Sequence, residues 1–224
     1  MGTEICIETK ALLFDMDGVL ISSTGSVVRC WRRWCAMYGV PGAETFDVPH
    51  GTRAVDIVRM LKPDFDDAQV ADGLRAIEDL ETEDIADVKV LAGVKALLER
   101  LPQERWAIVT SCTRRLLVAR LAAAGLPVPK RIVSGDMVTR GKPDPEPYRR
   151  GAELLGFTAG DCVVVEDAPS GVVAGVAAGC RVLGVLGTHS AEELSEATWI
   201  VPSLEGLKAS AIANGLELRF MAVG

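Results

Sequence analysis

The chain has 224 residues, of which 49% are hydrophobic and 25% charged, enough for one domain with a packed interior and a sizeable insertion. Its 24 basic and 31 acidic residues give a formal charge of −7, and no cluster of Lys and Arg offers the basic face that nucleic acid requires. We therefore expect no nucleic-acid partner.

The cysteines and the N-terminus indicate the cellular compartment of the protein. The six cysteines show no Cys-x-x-Cys pair and no Cys/His ligand spacing, which predicts reduced thiols in a reducing compartment. The start of the chain, "MGTEICIETK", lacks the basic and apolar regions of a secretory signal. No apolar stretch approaches the roughly 18 residues that a membrane span needs. We expect a cytoplasmic protein with no membrane partner.

Six short apolar runs alternate with helical patterns along most of the chain. The predicted strands are "ALLFDM" (11–16), "WAIVTS" (106–111), "RIVSG" (131–135), "CVVVED" (162–167), "RVLGVL" (181–186) and "WIVPS" (199–203). Continuous apolar runs of this length are typical of strands buried on both faces of a parallel sheet. The alternation predicts an α/β fold with a doubly wound, Rossmann-like parallel sheet.

The segment between the first two predicted strands interrupts this alternation. From about residue 22 to 88 the patterns are helical, which is too long for a simple crossover. We expect a helical cap subdomain at 22–88, inserted into a core formed by 1–21 and 89–224. Trp31 and Trp34, three residues apart, are expected to fill the core of this subdomain.

Polar residues cluster where the predicted strands end. They are Asp15, Asp17, Thr110, Ser111, Glu166 and Asp167, with Lys142 in the loop after the third strand. In parallel α/β sheets, ligands bind outside the carboxyl ends of the strands. Each of these residues alone could be a turn residue, a helix cap or a solvated charge, but their common placement favours a site.

The composition of this site indicates its chemistry. Four carboxylates at one sheet edge would repel each other without a cation, and hard oxygen donors suit Mg²⁺. A hydroxyl, a lysine and backbone amides at strand-to-helix turns are suited to a phosphoryl group. The combination favours phosphoryl transfer, in which an aspartate can act as a covalent nucleophile.

Four motifs in order, "FDMDGVL", "IVTSCT", "GKPDPEPY" and "VVVEDAPSGVVAG", resemble those of the haloacid dehalogenase superfamily. The resemblance covers almost the whole chain, and the helical insertion looks like the family's cap of the first type. Within the superfamily, the chain is similar to the β-phosphoglucomutase-like group, which includes small sugar-phosphate and polyol-phosphate phosphatases.

The resemblance implies roles for five charged residues of the motifs. Asp15 would attack phosphorus to form an aspartyl-phosphate, while Asp17 would protonate the leaving oxygen and then activate water. Lys142 would neutralise charge between Asp15 and the phosphoryl group. Mg²⁺ would be bound by Asp15, by the backbone carbonyl of Asp17 and by Asp167 as the main distal ligand. Glu166 would support Asp167 directly or through water.

The remaining implied contacts concern the substrate. Thr110, the backbone amide of Ser111 and Met16 would hold the phosphate. In the insertion, the loop "PHGTRAVD" (49–56) carries Arg53, which resembles an arginine of sugar- and polyol-phosphate enzymes, and His50. Both are candidate substrate contacts, and both could instead be surface residues near a helix start.

Three functions remain open from the sequence. The first is a Mg²⁺-dependent phosphatase for a small phosphorylated sugar or polyol, a monomer or small homo-oligomer. The second is a phosphomutase of the β-phosphoglucomutase type. Mutases tend to place a basic residue shortly after the hydroxyl of the second motif, and here Thr113 comes first, followed by Arg114 and Arg115, which weakens this reading without eliminating it. The third is a phosphate- or metal-binding regulator without turnover, against which the complete set of Asp15, Asp17 and Lys142 counts.

Overall fold

A computed structural model describes residues 2–223 of the chain. The strands are β1 (Thr3–Thr9), β2 (Ala11–Phe14), β3 (Ile21–Ser22), β4 (Lys89–Val90), β5 (Trp106–Val109), β6 (Ile132–Val133), β7 (Cys162–Glu166), β8 (Arg181–Val185), β9 (Trp199–Val201), β10 (Lys208–Ile212) and β11 (Gly215–Ala222). The helices are α1 (Thr24–Met37), α2 (Ala54–Leu61), α3 (Asp67–Glu83), α4 (Val94–Arg100), α5 (Arg114–Ala123), α6 (Glu146–Leu155) and α7 (Pro169–Ala178).

The six predicted apolar runs form one parallel sheet in the order β6-β5-β2-β7-β8-β9. The predicted α/β fold is therefore confirmed. Each strand is shorter than its apolar run, because the polar residues after it already belong to the loops. The strand that carries Asp15 and Asp17 at its end, β2, lies in the middle of the sheet.

Alternation along β2 divides the sheet's core into two layers. Leu12 and Phe14 pack into a cluster with residues of α4 and α5, whereas Ala11 and Leu13 pack against residues of α6 and α7. All four side chains are fully buried. Burying a side chain such as Leu stabilises a fold by about 1.5–3 kcal/mol. Both faces of the strand thus hold its end in place.

A second sheet was not predicted from the sequence. Strands β1, β11 and β10 form an antiparallel sheet whose inner face joins the α4 and α5 layer. Strand β11 alternates strictly, with Leu216, Leu218 and Phe220 buried, which is the signature of a strand with one face on a core. The signal was present in the sequence, but it has period two rather than the continuous apolar pattern of the parallel strands.

Helices α1, α2 and α3 lie between β2 and β5 and share a separate core. Trp34 is completely buried in it, and its indole Nε1–H donates to the carbonyl of Gly73 at 2.8 Å. Trp31 is also buried, 5.6 Å from Trp34 between ring centroids. The expectation that these tryptophans fill the core of the helical segment is confirmed.

Replacing Trp34 by Ala should destabilise the protein, because it leaves a large cavity and the Gly73 carbonyl without its donor. We expect the free energy of unfolding to fall by about 3–5 kcal/mol. Urea denaturation followed by circular dichroism measures the change. Met37→Ala, at an exposed position of the same helix, is the control and should leave the midpoint nearly unchanged. Equal midpoints for both variants would contradict the prediction.

The two connections of the helical segment run side by side. Strand β3 pairs with β4, with Ile21 opposite Val90 and Ser22 opposite Lys89. The division of the chain into a core and a subdomain at 22–88 stays a prediction. Within residues 2–223, none of the helices has the length and apolar character to cross a membrane.

Candidate active site

Strand β2 delivers Asp15 to the carboxyl edge of the sheet. The Asp15 amide donates to the Val165 carbonyl of the neighbouring strand at 3.0 Å, and its side chain is buried. The chain then turns at Gly18, whose φ of +83° lies in the left-handed region that favours glycine. A Cβ at Gly18 would also overlap the carboxylate of Asp167. The turn therefore brings the first and fourth motifs into direct contact.

Lys142 connects the third motif to this edge. Its Nζ lies 2.8 Å from Asp15 Oδ1 and 2.7 Å from Glu166 Oε1, and all three side chains are buried. Burial raises the pKa of Asp15 to about 7, Lys142 opposes this, and Glu166 adds to it. Burial disfavours the ammonium of Lys142, but the attraction of both carboxylates outweighs it and raises the pKa of Lys142. The lysine is thus held as a buried cation against Asp15.

Glu166 uses both of its oxygens within the protein. Oε1 accepts from Lys142 and from the hydroxyl of Tyr148 at 2.7 Å, while Oε2 accepts from the amides of Asp167 and Ala168 at 2.9 and 3.0 Å. Because both oxygens already accept hydrogen bonds, Glu166 is better placed to support Asp167 than to bind a metal itself. This favours the indirect one of its two predicted roles. Tyr148, the last residue of "GKPDPEPY", was assigned no role from the sequence.

Asp167 is the acid best placed to bind a cation. It is buried, its Oδ2 accepts from Thr188, and its Oδ1 has no hydrogen-bond partner among residues 2–223. Burial, followed by the nearby Glu166 and Asp15, raises its pKa well above the usual range.

Oxygens of Asp15, Glu166 and Asp167 lie within 4.8 Å of one another. One lysine ammonium among three carboxylates leaves an excess of negative charge that a divalent cation would offset. Hard carboxylate oxygens are the ligands that Mg²⁺ prefers. The residues therefore fit Mg²⁺.

Asp17 faces a different set of partners. Its Oδ1 accepts from Ser23 Oγ at 2.5 Å, and its Oδ2 accepts from the guanidinium of Arg120 at 3.0 Å. Arg120 also donates to Glu81 of helix α3 at 3.1 Å, and burial raises the pKa of Glu81 to about 7 against the opposing effect of Arg120. Ser23, Arg120 and Glu81 were not identified from the sequence. The Asp17 carboxylate thus lies outside the group of three acids that fits a cation.

The predicted phosphate-binding residues lie at the same edge. Thr110 follows β5, with its amide bonded to the Val133 carbonyl at 2.9 Å and its side chain buried. The hydroxyl of Ser111 donates to the Gly51 carbonyl at 2.6 Å, which links this edge to the helical segment. Met16 is completely buried between the two aspartates of the first motif. Thr110 and Ser111 line the same cavity as Asp15.

Arg53 bridges the helical segment and the loop after β6. Its Nε lies 2.8 Å from Asp56, and one terminal nitrogen donates to the carbonyls of Val138 and Thr139 at 3.0 and 3.1 Å. Its side chain also lines the cavity and is not the free surface charge that the alternative reading of the sequence allowed.

His50 lies across the cavity mouth from a residue of the core. Its ring makes an edge-to-face contact with His189, with centroids 5.6 Å apart, and burial lowers the pKa of His50. His189 Nδ1 lies 3.0 Å from the carbonyl oxygen of Asp167. In the sequence, His189 directly precedes Ser190 and Glu193, which have the spacing of a helix capping box. The reciprocal bonds of Ser190 and Glu193 are present, but on a turn rather than a helix.

The cavity between the sheet edge and the helical segment has a volume of about 300 Å³. Its walls include Asp15, Asp17, Thr110 and Asp167 from the sheet edge, and His50 and Arg53 from the helical segment. This is the size of a site for a small molecule. The predicted catalytic carboxylates and the predicted substrate contacts therefore share one cavity.

The chain is similar to two phosphatases in sequence and to a solved hydrolase structure in fold. It is 38% identical to hexitol phosphatase A of Escherichia coli, covering 92% of this chain and 96% of the relative. It is 33% identical to glycerol-1-phosphate phosphohydrolase 2 of Saccharomyces cerevisiae, covering 86% and 80%. A crystal structure of a hydrolase from Pseudomonas syringae has the same fold, with a TM-score of 0.79, 24% identity, and coverage of 88% and 94%.

The family profile described as haloacid dehalogenase-like hydrolase matches residues 12–185, a span that contains all four motifs and every acid of the cluster. With this match and the similarity to the two phosphatases over most of the chain, the protein belongs to the haloacid dehalogenase-like hydrolases.

Proposed function

We propose that the protein is a Mg²⁺-dependent phosphatase that hydrolyses a small phosphorylated sugar or polyol through an aspartyl-phosphate. The observation that carries this proposal is the buried contact of Asp15 with Lys142, beside Asp167, at the floor of a cavity of small-molecule size. The names of the two relatives, a hexitol phosphatase and a glycerol-1-phosphate phosphohydrolase, support the class of substrate.

The reaction would proceed in two steps on the side chains of β2 and the turn after it. In the first, a carboxylate oxygen of Asp15 bonds to phosphorus, the bond to the leaving oxygen breaks, and Asp17 gives that oxygen a proton. In the second, Asp17 takes a proton from water, the water oxygen bonds to phosphorus, and the bond to Asp15 breaks. The products are the alcohol and inorganic phosphate, and both aspartates return to their first state.

The other residues of the site would bind the phosphoryl group and offset its charge rather than transfer protons. Lys142 offsets the negative charge shared by Asp15 and the phosphoryl oxygens, and Thr110 with the Ser111 amide binds those oxygens. Mg²⁺, when bound by Asp15, Asp167 and the Asp17 carbonyl, supplies further positive charge beside the phosphoryl group. Such electrostatic stabilisation is the main source of catalysis in phosphoryl transfer.

The helical segment at 22–88 would act as the cap that selects the substrate. It supplies His50 and Arg53 to the cavity, and Ser111 of the core bonds to its Gly51 carbonyl. A cap that covers the cavity would exclude bulk water while the Asp15 carboxylate reacts. We expect the cap residues to contact the hydroxyl groups of the sugar or polyol.

Removal of Mg²⁺ should abolish turnover, because the carboxylate cluster would then repel the phosphoryl group. We expect at least a 100-fold loss of phosphate release after treatment with EDTA and desalting, as an order-of-magnitude figure for charge stabilisation. Adding MgCl₂ back should restore the rate. Activity that survives thorough chelation would remove the metal from the mechanism.

A panel of phosphorylated sugars and polyols tests the reaction itself. We expect inorganic phosphate to be released from one or more of these esters, without isomerised product. The mutase is less favoured, because Thr113 is neutral and its hydroxyl is bonded to Glu78 and to the amide of Leu116. Isomer formation without phosphate release would support a mutase, and phosphate or Mg²⁺ binding without turnover would support a regulator.

A further inference from the structure

A buried arginine connects the proposed acid/base to the cap. Arg120 is 3% exposed, although it carries a full charge on helix α5. Its guanidinium lies 3.0 Å from Asp17 Oδ2 and 3.1 Å from Glu81 Oε1. Burying a guanidinium costs several kcal/mol unless it is paired with good geometry. A planar guanidinium presents donors on two edges in fixed directions, so it can hold two carboxylates in a set geometry, whereas a lysine ammonium acts as a point charge.

The two carboxylates come from different parts of the chain. Asp17 follows β2, at the sheet edge, whereas Glu81 lies in α3 of the helical segment and is itself buried. Within residues 2–223, Arg120 is the only side chain that bonds to both Asp17 and helix α3. Its neighbour Ser23 binds the second oxygen of Asp17. The orientation of the Asp17 carboxylate is thus determined by two donors.

A second ion pair at the same helix–helix contact lacks this connection. Arg115, also on α5, lies 3.0 Å from Glu78 and 2.6 Å from Asp79 of α3, but it is more than half exposed. Among residues 2–223, the side-chain hydrogen bonds of Arg115 go to these two acids and not to Asp17. Solvent-exposed pairs of this kind contribute only about 0–1 kcal/mol to stability. Both arginines link α5 to α3, but of the two only Arg120 also bonds to a residue of the candidate site, Asp17.

We propose that Arg120 is a positioning residue for Asp17 and that Glu81 fixes Arg120 in turn, so that docking of α3 on α5 sets the orientation of the acid/base. This inference rests on the proposed function, because it assumes that Asp17 exchanges protons with the leaving group and with water. It assigns to the cap a part in the chemistry as well as in substrate selection.

The test compares two esters whose leaving groups differ in their need for a proton. With p-nitrophenyl phosphate the leaving oxygen departs without a proton, so only the second step depends on Asp17. With glycerol 1-phosphate, or the best alkyl ester of the panel, both steps depend on it. In Arg120→Lys, we expect kcat for the alkyl ester to fall by about 10²-fold, the low end for a lost acid/base, with KM nearly unchanged.

With p-nitrophenyl phosphate, the same variant should release a rapid burst of p-nitrophenol at the wild-type rate, followed by slow turnover. Glu81→Gln keeps the size of the side chain and should show the same pattern with a smaller loss, about 3- to 10-fold. Arg115→Met breaks the neighbouring pair and is the matched control. Arg115→Met should leave the ratio of alkyl ester turnover to the p-nitrophenol burst at its wild-type value.

The outcomes separate this inference from the proposed function. Equal losses of the p-nitrophenol burst and of alkyl ester turnover in Arg120→Lys would show a merely structural role and overturn the inference. If a folded Glu81→Gln keeps the wild-type ratio of alkyl ester turnover to the p-nitrophenol burst, the part assigned to the cap is overturned. This test also applies if Arg120→Lys fails to fold. A wild-type protein inactive on every ester would reject the proposed function, and this inference with it.

Discussion

Replacing Asp15 by Asn should lower phosphate release by at least about 10³-fold, as expected for removal of a covalent nucleophile. The amide has nearly the same shape, but its oxygen is a far weaker nucleophile than a carboxylate, and Lys142 loses an ion-pair partner at 2.8 Å. The rate is measured as inorganic phosphate released from the best ester of the panel. Circular dichroism and the urea midpoint confirm that the variant is folded.

Two further measurements test whether Asp15 carries the phosphoryl group. Acid quenching with a labelled ester should trap a phosphoenzyme in the wild-type protein and none in Asp15→Asn. Asp64→Asn, at an exposed position, makes the same chemical change on the surface and should turn over normally. Full activity or a trapped phosphoenzyme in a folded Asp15→Asn would show that another group is the nucleophile.

Replacing Lys142 by Met should affect both stability and turnover. The lysine is fully buried between Asp15 and Glu166, so its loss leaves two buried carboxylates without their cation. Removing one partner of a buried ion pair typically costs about 3–5 kcal/mol. We expect a loss of that size in the free energy of unfolding at pH 8, measured by urea denaturation in EDTA, together with loss of phosphate release.

The deficit of Lys142→Met should depend on pH in a defined direction. Without the ammonium, nothing opposes the effect of burial on Asp15, so its pKa in the folded state rises further above its pKa in the unfolded state. The penalty is then absent below the unfolded pKa, grows as the pH rises from the unfolded to the folded pKa, and is constant above it. The deficit should be smaller at pH 5 than at pH 8.

Lys95→Met removes an exposed lysine and is the control for the change of net charge. It should have the wild-type midpoint at both pH values. A midpoint of Lys142→Met equal to that of the control, or a deficit that grows towards acid pH, would mean that Lys142 does not neutralise the buried carboxylates.

The parallel sheet and the acids at its edge could be predicted because their signals are local. Continuous apolar runs such as the one at 162–165 indicate strands covered on both faces, and the acids after several such strands meet at one edge of the sheet. The antiparallel sheet escaped prediction for a related reason. Ile5 and Ile7 of β1 are separated by the exposed Cys6, flanked by polar residues and only partly buried, so the apolar run is just three residues long.

The contacts of Asp17 could not be predicted, because they join positions far apart in sequence. Arg120 lies 103 residues from Asp17 and 39 from Glu81, and on a helix each charged residue reads as part of a solvated face. Only the packing of α3 against α5 shows that these charges are inside. Arg53 and His50 were identified from a resemblance, while their partners on the core, the carbonyls after β6 and the ring of His189, depend on the tertiary fold.

The pairing of β3 with β4 has a consequence for how such proteins diversify. Because Ile21 and Val90 face each other, the chain leaves the α/β sheet and returns to it at neighbouring points. Residues can be gained, lost or exchanged between those points without moving the end of β2, provided that Ser23 and Glu81, which hold Asp17 directly and through Arg120, are kept. A lineage built on this plan can change the molecule it accepts as long as it keeps these contacts, so specificity can diverge while a small part of the insertion stays tied to the chemistry.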